Sequence, residues 1–160
     1  MANTTFNGPV RSENGFKNVI KSSTTGELTS EMTLSVYTAT VTVANGQTTG
    51  KESSIGIPSN FIPMAVTVAV TTAAANAVNL VDIGTDADPD GFVDGITAAV
   101  NSTGFKGFFP CNGVLGMSGG TTTAATATAD EVEIVFSGDP GGDTVVVMKF
   151  IGISSSSDAS

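Results

Sequence analysis

The chain has 160 residues, one cysteine and a formal net charge of −9 at pH 7. This length is enough to bury a core without disulfides, and a single cysteine cannot pair within the chain, so assembly in a reducing cytoplasm is expected. The acidic excess would repel phosphates and argues against a nucleic-acid partner, and no run is long or apolar enough to span a bilayer. The first residues lack a basic region followed by an apolar stretch, so export by a signal peptide is not expected.

Residues 1–30 are predicted to form an extended N-terminal arm. The segment is rich in Asn, Ser, Thr and Gly and has no sustained apolar period, so it cannot bury enough surface to order itself. It carries a net charge of +1, which leaves −10 for the rest of the chain. Spaced apolar side chains would anchor the arm to a partner while basic ones steer it, although a tail without a role is the alternative. The candidate contact residues are Phe6, Val10, Arg11, Phe16, Lys17 and Lys21.

Residues 31–153 are predicted to form a β-sandwich domain, followed by a flexible tail at 154–160. In MTLSVYTATVTVA the apolar phase slips between Val36 and Ala39, which favours a bulge or corner. MAVTVAVTT predicts a half-buried strand, with its methionine and three valines on one face and small or polar residues on the other. EVEIVF predicts a strand with both glutamates facing outward. TVVVMKFIGI is apolar on both faces and predicts a central strand.

Four shorter runs, at residues 54–57, 78–83, 105–109 and 121–127, bring the number of strands to about eight. Helix is scarce, because the only helix-permissive stretch, TTAAANAV, is too short to stand alone. Eight strands with loops of uneven length favour an all-β, two-sheet jelly-roll sandwich over an up-and-down barrel.

The inventory of catalytic side chains is sparse. The chain has no histidine, so a Ser-His-Asp triad or a Cys-His pair cannot form, and Cys111 has no basic cluster nearby in sequence to make a thiolate. Sugar-binding platforms need large aromatic surfaces, and the chain has no Trp and one Tyr. We therefore expect a non-enzymatic protein without a cofactor.

One acidic stretch resembles a calcium-binding loop. Within DADPDGFVD, four aspartates lie at positions 1, 3, 5 and 9 of a twelve-residue loop, with a glycine at position 6. The glutamate that closes such a loop is missing, because Thr97 lies at position 12, and a strand rather than a helix precedes it. A weak calcium site is therefore one interpretation, and a solvated turn fixed by Pro-Asp-Gly is the favoured one. The candidate ligands are Asp86, Asp88, Asp90 and Asp94.

Four parts of the chain are distinctive together: FNGPVRSENGFK, IGTDADPDGFVDG, a Gly- and Thr-rich segment, and the closing VEIVFSGDPGGDTVVVMKFIGI. With these, most of the chain resembles small virion structural proteins of marine tailed bacteriophages, namely head decoration or cement proteins. The resemblance implies a β-sandwich that binds the major capsid protein on the outside of an assembled shell, as a homo-oligomer, often a trimer, with an arm reaching along the shell.

This resemblance predicts a structural protein of the virion surface, assembled in the host cytoplasm, without a nucleic-acid or membrane partner. A tail-fibre or appendage module would share the same composition, and a calcium-stabilised surface-binding β-domain is a further alternative. A cell-surface adhesin or sugar-binding module would need an export route and aromatic platforms, and neither is expected from this sequence.

Overall fold

The computed structural model describes residues 17–21, 24–25, 28–52, 57, 61–115 and 131–155, with no description of the side chains of 17–21, 28–33 and 154–155. Every regular element within these residues is a β-strand. Most of the strand predicted at 54–57 and all of that predicted at 121–127 lie outside the described residues. The strands are β1 Lys17–Lys21, β2 Leu28–Val43, β3 Thr49–Lys51, β4 Phe61–Thr72, β5 Asn79–Thr85, β6 Asp88–Val93, β7 Ala98–Ala99, β8 Gly104–Pro110, β9 Val132–Phe136 and β10 Thr144–Ser155.

The strands form two antiparallel sheets packed face to face. Sheet I has the order β1-β2-β10-β4-β8, and sheet II has the order β3-β9-β5-β6, with β7 paired to β5. The pairs β2–β10, β3–β9, β4–β8 and β5–β6 are nested about the β5–β6 hairpin. Nested antiparallel pairs split between two sheets define a jelly roll, so the predicted fold class is confirmed.

The core lies between the inner faces of the two sheets. Strand β4 contributes Val66, Val68 and Val70, which are buried as the alternating pattern predicts. Phe92 of sheet II meets Phe150 of sheet I edge-on, with ring centroids 5.5 Å apart. Aromatic pairs in this geometry add to the free energy gained by burial, so this contact helps to hold the two layers together.

Strand β10 is central, as predicted, because it pairs with β2 on one side and β4 on the other. Val132, Ile134 and Phe136 of β9 point into the core, also as predicted. Glu133 lies on the opposite face of β9, but it is buried instead of exposed.

The bulge predicted between Val36 and Ala39 is absent from the pairing of β2 with β10, whose register is continuous from Met32 to Val43. The apolar phase changes because Leu34 and Val36 point away from the core while Ala39 points into it. Two faces of the same strand are apolar along different parts of its length.

Strand β4 does contain a bulge, at the point where its register with β10 shifts between Ile151 and Gly152. Ala65 and Val66 are both buried there, and Met64 is exposed, whereas the alternation predicted a core position for Met64. A bulge shifts the side-chain alternation by one residue, which accounts for the error.

Residues 1–16 lie outside the described residues, so the arm prediction is untested there. Within the predicted arm, Lys17–Lys21 forms β1 and pairs with β2, which begins at Leu28, before the predicted domain boundary. At the other end, β10 continues to Ser155. The division of the chain into arm, sandwich and tail remains a prediction.

Candidate interaction surface

The arm residues predicted to contact a partner divide into two groups. Phe6, Val10, Arg11 and Phe16 lie outside the described residues. Lys17 and Lys21 form the two ends of β1, which is the edge strand of sheet I. The arm therefore enters the fold along one edge of this sheet.

Sheet I has an apolar outer face. Leu34 and Val36 on β2 are 69% and 61% exposed, and Phe105 and Phe108 on β8 are 70% and 58% exposed. The side chains between these two strands are partly exposed and mostly aliphatic. We call this surface the apolar face; it consists of Leu34, Val36, Thr38, Thr40, Ile62, Thr67, Ala69, Phe105, Phe108, Val147, Lys149, Ile151 and Ile153.

Strand register places these side chains side by side, since paired residues in an antiparallel sheet point to the same side. Ile153 pairs with Leu34 on one side and Ile62 on the other. Three rows further along, Ala69 pairs with Val147 and with Phe105. Apolar residues on this face therefore extend over four strands, with the row of Thr38, Lys149 and Thr67 between them. Single exposed apolar side chains, by contrast, are common on monomers.

A lysine lies within this surface. Lys149 is exposed and pairs with Thr38 on β2 and Thr67 on β4, and Thr67 in turn pairs with Phe108. Among the described residues, no carboxylate forms an ion pair with Lys149. Its charge is available to a partner that binds the apolar face.

Charge is divided between the two sheets. The strands of sheet I contain four lysines (at positions 17, 21, 106 and 149) and one acidic residue, Glu31. The strands of sheet II contain one lysine and four acidic residues. The described loops add further acidic residues, so among the described residues most carboxylates lie outside the strands of sheet I.

The sequence did not identify the apolar face as a candidate site. The signal was present in the phase change of MTLSVYTATVTVA and in the closely spaced Phe105 and Phe108 of GFKGFFP. Apolar residues on both phases of a strand are typical of a strand buried on both faces. Only the three-dimensional arrangement shows that one of these faces is open to solvent.

The predicted calcium loop has a different local structure. Strand β5 ends at Thr85, which pairs with Asp88, so the chain reverses over Asp86 and Ala87. The Pro-Asp-Gly sequence predicted to make the turn lies in β6, an edge strand in which proline is tolerated. A Cβ at Gly84 would overlap the carbonyl oxygen of Asp88, so the tight approach of β5 and β6 requires glycine there.

Three of the four candidate calcium ligands share a surface cavity of about 150 Å³. It is lined by Asp88, Asp90 and Asp94, with Asn112, Gly113 and Val114 on the opposite side. Burial, followed by the neighbouring carboxylate of Asp90, raises the pKa of Asp88. Among the described side chains, no group of three or more acidic, cysteine or histidine residues is arranged to hold a metal ion. The weak calcium site remains a prediction.

Asp86 does not line this cavity and forms an ion pair with Lys51. The same lysine lies 3.9 Å from Oε2 of Glu133, which receives no hydrogen bond from the described residues. Burial raises the pKa of Glu133, and Asp86 raises it further, while Lys51 opposes the shift. Glu133 is therefore a buried, incompletely satisfied carboxylate on the outer side of sheet II.

Cys111 is fully buried, and burial raises the pKa of its thiol to about 12. A thiol with this pKa holds almost no thiolate at pH 7. Cys111 is thus a packing residue of the core.

Comparison with protein-family models, with curated proteins and with solved structures finds no match to this chain. Within the part of the chain that the structure describes, there is no helix of the length and apolarity needed to cross a membrane.

Proposed function

We propose that this protein is a non-enzymatic structural protein of a phage virion that binds the outside of an assembled capsid shell and decorates or stabilises it. Its partner is the major capsid protein, and it joins shells in the cytoplasm of the host. The resemblance of its sequence to marine phage decoration proteins suggests this role, and the surface of the domain supports it.

The supporting observation is the difference between the two outer faces of the sandwich. The apolar face is open and carries Lys149, whereas sheet II and the loops carry most of the acidic residues. A protein that coats a shell needs one adhesive side and one side that stays in water without attracting its neighbours. Net negative charge on the outward side keeps coated particles apart.

Self-association as a trimer is part of the proposal, and the fold restricts how it occurs. If the apolar face meets the shell and sheet II faces water, three copies around an axis normal to the shell meet through the edges of the sandwich. The edge strands are β1 and β8 in sheet I and β3 and β6 in sheet II. In a closed trimer the same edge-to-edge contact occurs three times, so no contacting edge is left free to extend an open filament.

The experiment uses purified full-length chain and shells of the parent virus that lack it. We expect saturable binding at a fixed number of copies per shell, measured by sedimentation and gel densitometry, with a higher temperature of shell disruption. Purified tails from the same virus are the control. Binding to tails but not to shells would instead support the tail or appendage alternative, and binding to neither would exclude a virion surface role.

A further inference from the structure

We infer that the apolar face is the docking surface, and that it binds a protein surface with an apolar centre and carboxylates around it. This inference rests on the proposed function, since it names the part of the chain that meets the shell and the chemistry of the shell surface that receives it.

The size of the apolar face supports a docking role. A phenylalanine side chain presents roughly 200 Å², so Phe105 and Phe108, at 70% and 58% exposed, account for about 250 Å² together. Leu34 and Val36 add to this area on the same face of sheet I, on β2, which is three strands away from β8. Apolar patches above a few hundred Å² on a soluble domain mark interaction sites, because leaving them in water is unfavourable.

Charge identifies the kind of partner. Sheet I carries four lysines against one acidic residue on its strands. Lys149 lies between Val147 and Ile151 along β10, pairs with two threonines, and forms no ion pair with a carboxylate of the described residues. A partner with carboxylates facing Lys149 would gain complementary contacts and faster association. A surface rich in lysine or arginine would be repelled.

A second copy of the chain fits the apolar face less well. Two apolar faces in contact would bring lysine-bearing sheets together. The apolar face of one copy against the acidic sheet II of the next would satisfy charge, but these surfaces lie on opposite sides of the sandwich. Contacts between opposite sides repeat as an open stack and do not close into a ring.

The course of the chain also favours a single continuous contact. Strand β1 is one edge of sheet I, and residues 1–16 precede it in the sequence. A fully extended chain of sixteen residues reaches at most about 55 Å. Arm and apolar face can therefore contact the same partner surface, which adds area that the face alone does not supply.

Two pairs of variants test the inference on shells of the parent virus. Phe105→Thr with Phe108→Thr removes the aromatic area while keeping residues that favour strands, and Val114→Thr changes an exposed apolar residue outside the apolar face. Lys149→Thr and Thr97→Glu each lower the net charge by one, inside and outside the face respectively. All five substituted positions are exposed, so melting temperatures should remain close to that of the wild type.

We expect the double phenylalanine variant to bind shells at least tenfold more weakly, and Val114→Thr to bind within twofold of the wild type. Lys149→Thr should lose about threefold in affinity and show a smaller loss of binding between 50 and 300 mM salt than the wild type. Thr97→Glu should match the wild type in both respects.

Three results separate failure of this inference from failure of the proposed function. If the wild type binds shells and the phenylalanine variant binds equally well, the docking face is wrong while the function stands. If the wild type is a dimer that the phenylalanine variant converts to a monomer, a second copy occupies the face and the inference is overturned. If the wild type does not bind shells, the proposed function itself fails.

Discussion

The hydroxyl group of Tyr37 donates a 2.7 Å hydrogen bond to Oε2 of Glu52. Tyr37 lies on β2 in sheet I, and Glu52 follows β3 in sheet II, so the bond joins the two sheets near one end of the sandwich. Glu52 is buried and Tyr37 is half-buried, and burial is the main cause that raises the pKa of each. The bond satisfies a buried carboxylate that would otherwise be costly.

Replacing Tyr37 with Phe is expected to lower the free energy of unfolding by about 1 to 2 kcal/mol, because the Glu52 carboxylate loses a partner while remaining buried. The loss should be larger at pH 8 than at pH 5, since Glu52 can take up a proton at the lower pH. Chemical denaturation at the two pH values measures this difference. Glu52→Gln, which keeps an acceptor for Tyr37 and removes the charge, is the control and should be neutral or stabilising. Equal stability of Tyr37→Phe and the wild type at both pH values would show that the bond does not form in solution.

Stability is expected to rise as the pH is lowered toward the ordinary carboxyl pKa of about 4 to 4.5. Burial raises the pKa of Glu52, Asp88 and Glu133 in the folded state. Between the unfolded pKa, near 4 to 4.5, and the raised folded value, the folded chain holds more protons than the unfolded chain, so the free energy of unfolding falls as pH rises. Below pH 3.8 the trend should reverse, because backbone N–H groups of Gly141 and Gly46 lower the pKa of Asp139.

Glu133→Gln tests the contribution of the buried Glu133 carboxylate to this trend. It removes a charge that lacks a hydrogen bond at Oε2. If removing this charge raises the free energy of unfolding by about 1 kcal/mol, the melting temperature at pH 7.5 should increase by roughly 2 to 4 °C. The melting temperature of the variant should also depend less on pH. Glu131→Gln, at an exposed position two residues earlier, is the matched control and should change little. A destabilised Glu133→Gln variant would mean that the charge is required by the fold.

Calcium at millimolar concentration is expected to raise the melting temperature only slightly, and magnesium at equal ionic strength should do nearly as well. Screening of the neighbouring carboxylates of Asp88 and Asp90 accounts for such a shift. Asp88→Asn with Asp90→Asn should leave stability unchanged or slightly raised, because their mutual repulsion is removed. A calcium-specific rise of several degrees that this double variant abolishes would establish a structural metal site in the cavity.

The arm prediction can be tested with two truncations. Deleting residues 1–16 removes the candidate anchors Phe6, Val10 and Phe16 and leaves every described strand in place. This variant should keep the melting temperature of the wild type and bind shells more weakly. Deleting residues 1–22 also removes β1 and leaves β2 as an unpaired edge, so some loss of stability and a tendency to aggregate are expected. Unchanged shell binding by the shorter deletion would refute a role for the arm.

The strands that could be predicted are those in which the pattern of apolar and polar residues indicates which side chains are buried. Val66, Val68 and Val70 alternate with small or polar residues, and β10 is apolar on both phases, so period and composition were sufficient. The jelly roll followed from the number of such runs and the uneven loops between them.

The elements that could not be predicted depend on contacts distant in sequence. Strand β6 begins with Asp-Pro-Asp-Gly, a sequence that local preferences assign to a turn. It is held by pairing with β5 and by hydrogen bonds from Gly113 and Leu115 to the carbonyl oxygens of Phe92 and Gly91. No local pattern encodes that partner segment.

The apolar face was missed for a related reason. Leu34 and Val36 lie on the strand phase opposite to Ala39, and a sequence alone does not tell which phase faces a core and which faces a partner. The change of phase was therefore interpreted as a bulge. Core packing explains the apolar residues on one phase, and the proposed docking role explains those on the other.

A reconstruction of the decorated shell by electron cryo-microscopy, at a resolution that separates strands, tests the central claim most directly. We predict that sheet I lies against the shell with Phe105 and Phe108 in contact, that carboxylates of the shell surround Lys149, and that sheet II faces solvent. A reconstruction in which sheet II or the β5–β6 hairpin contacts the shell while Phe105 and Phe108 remain in water would contradict it.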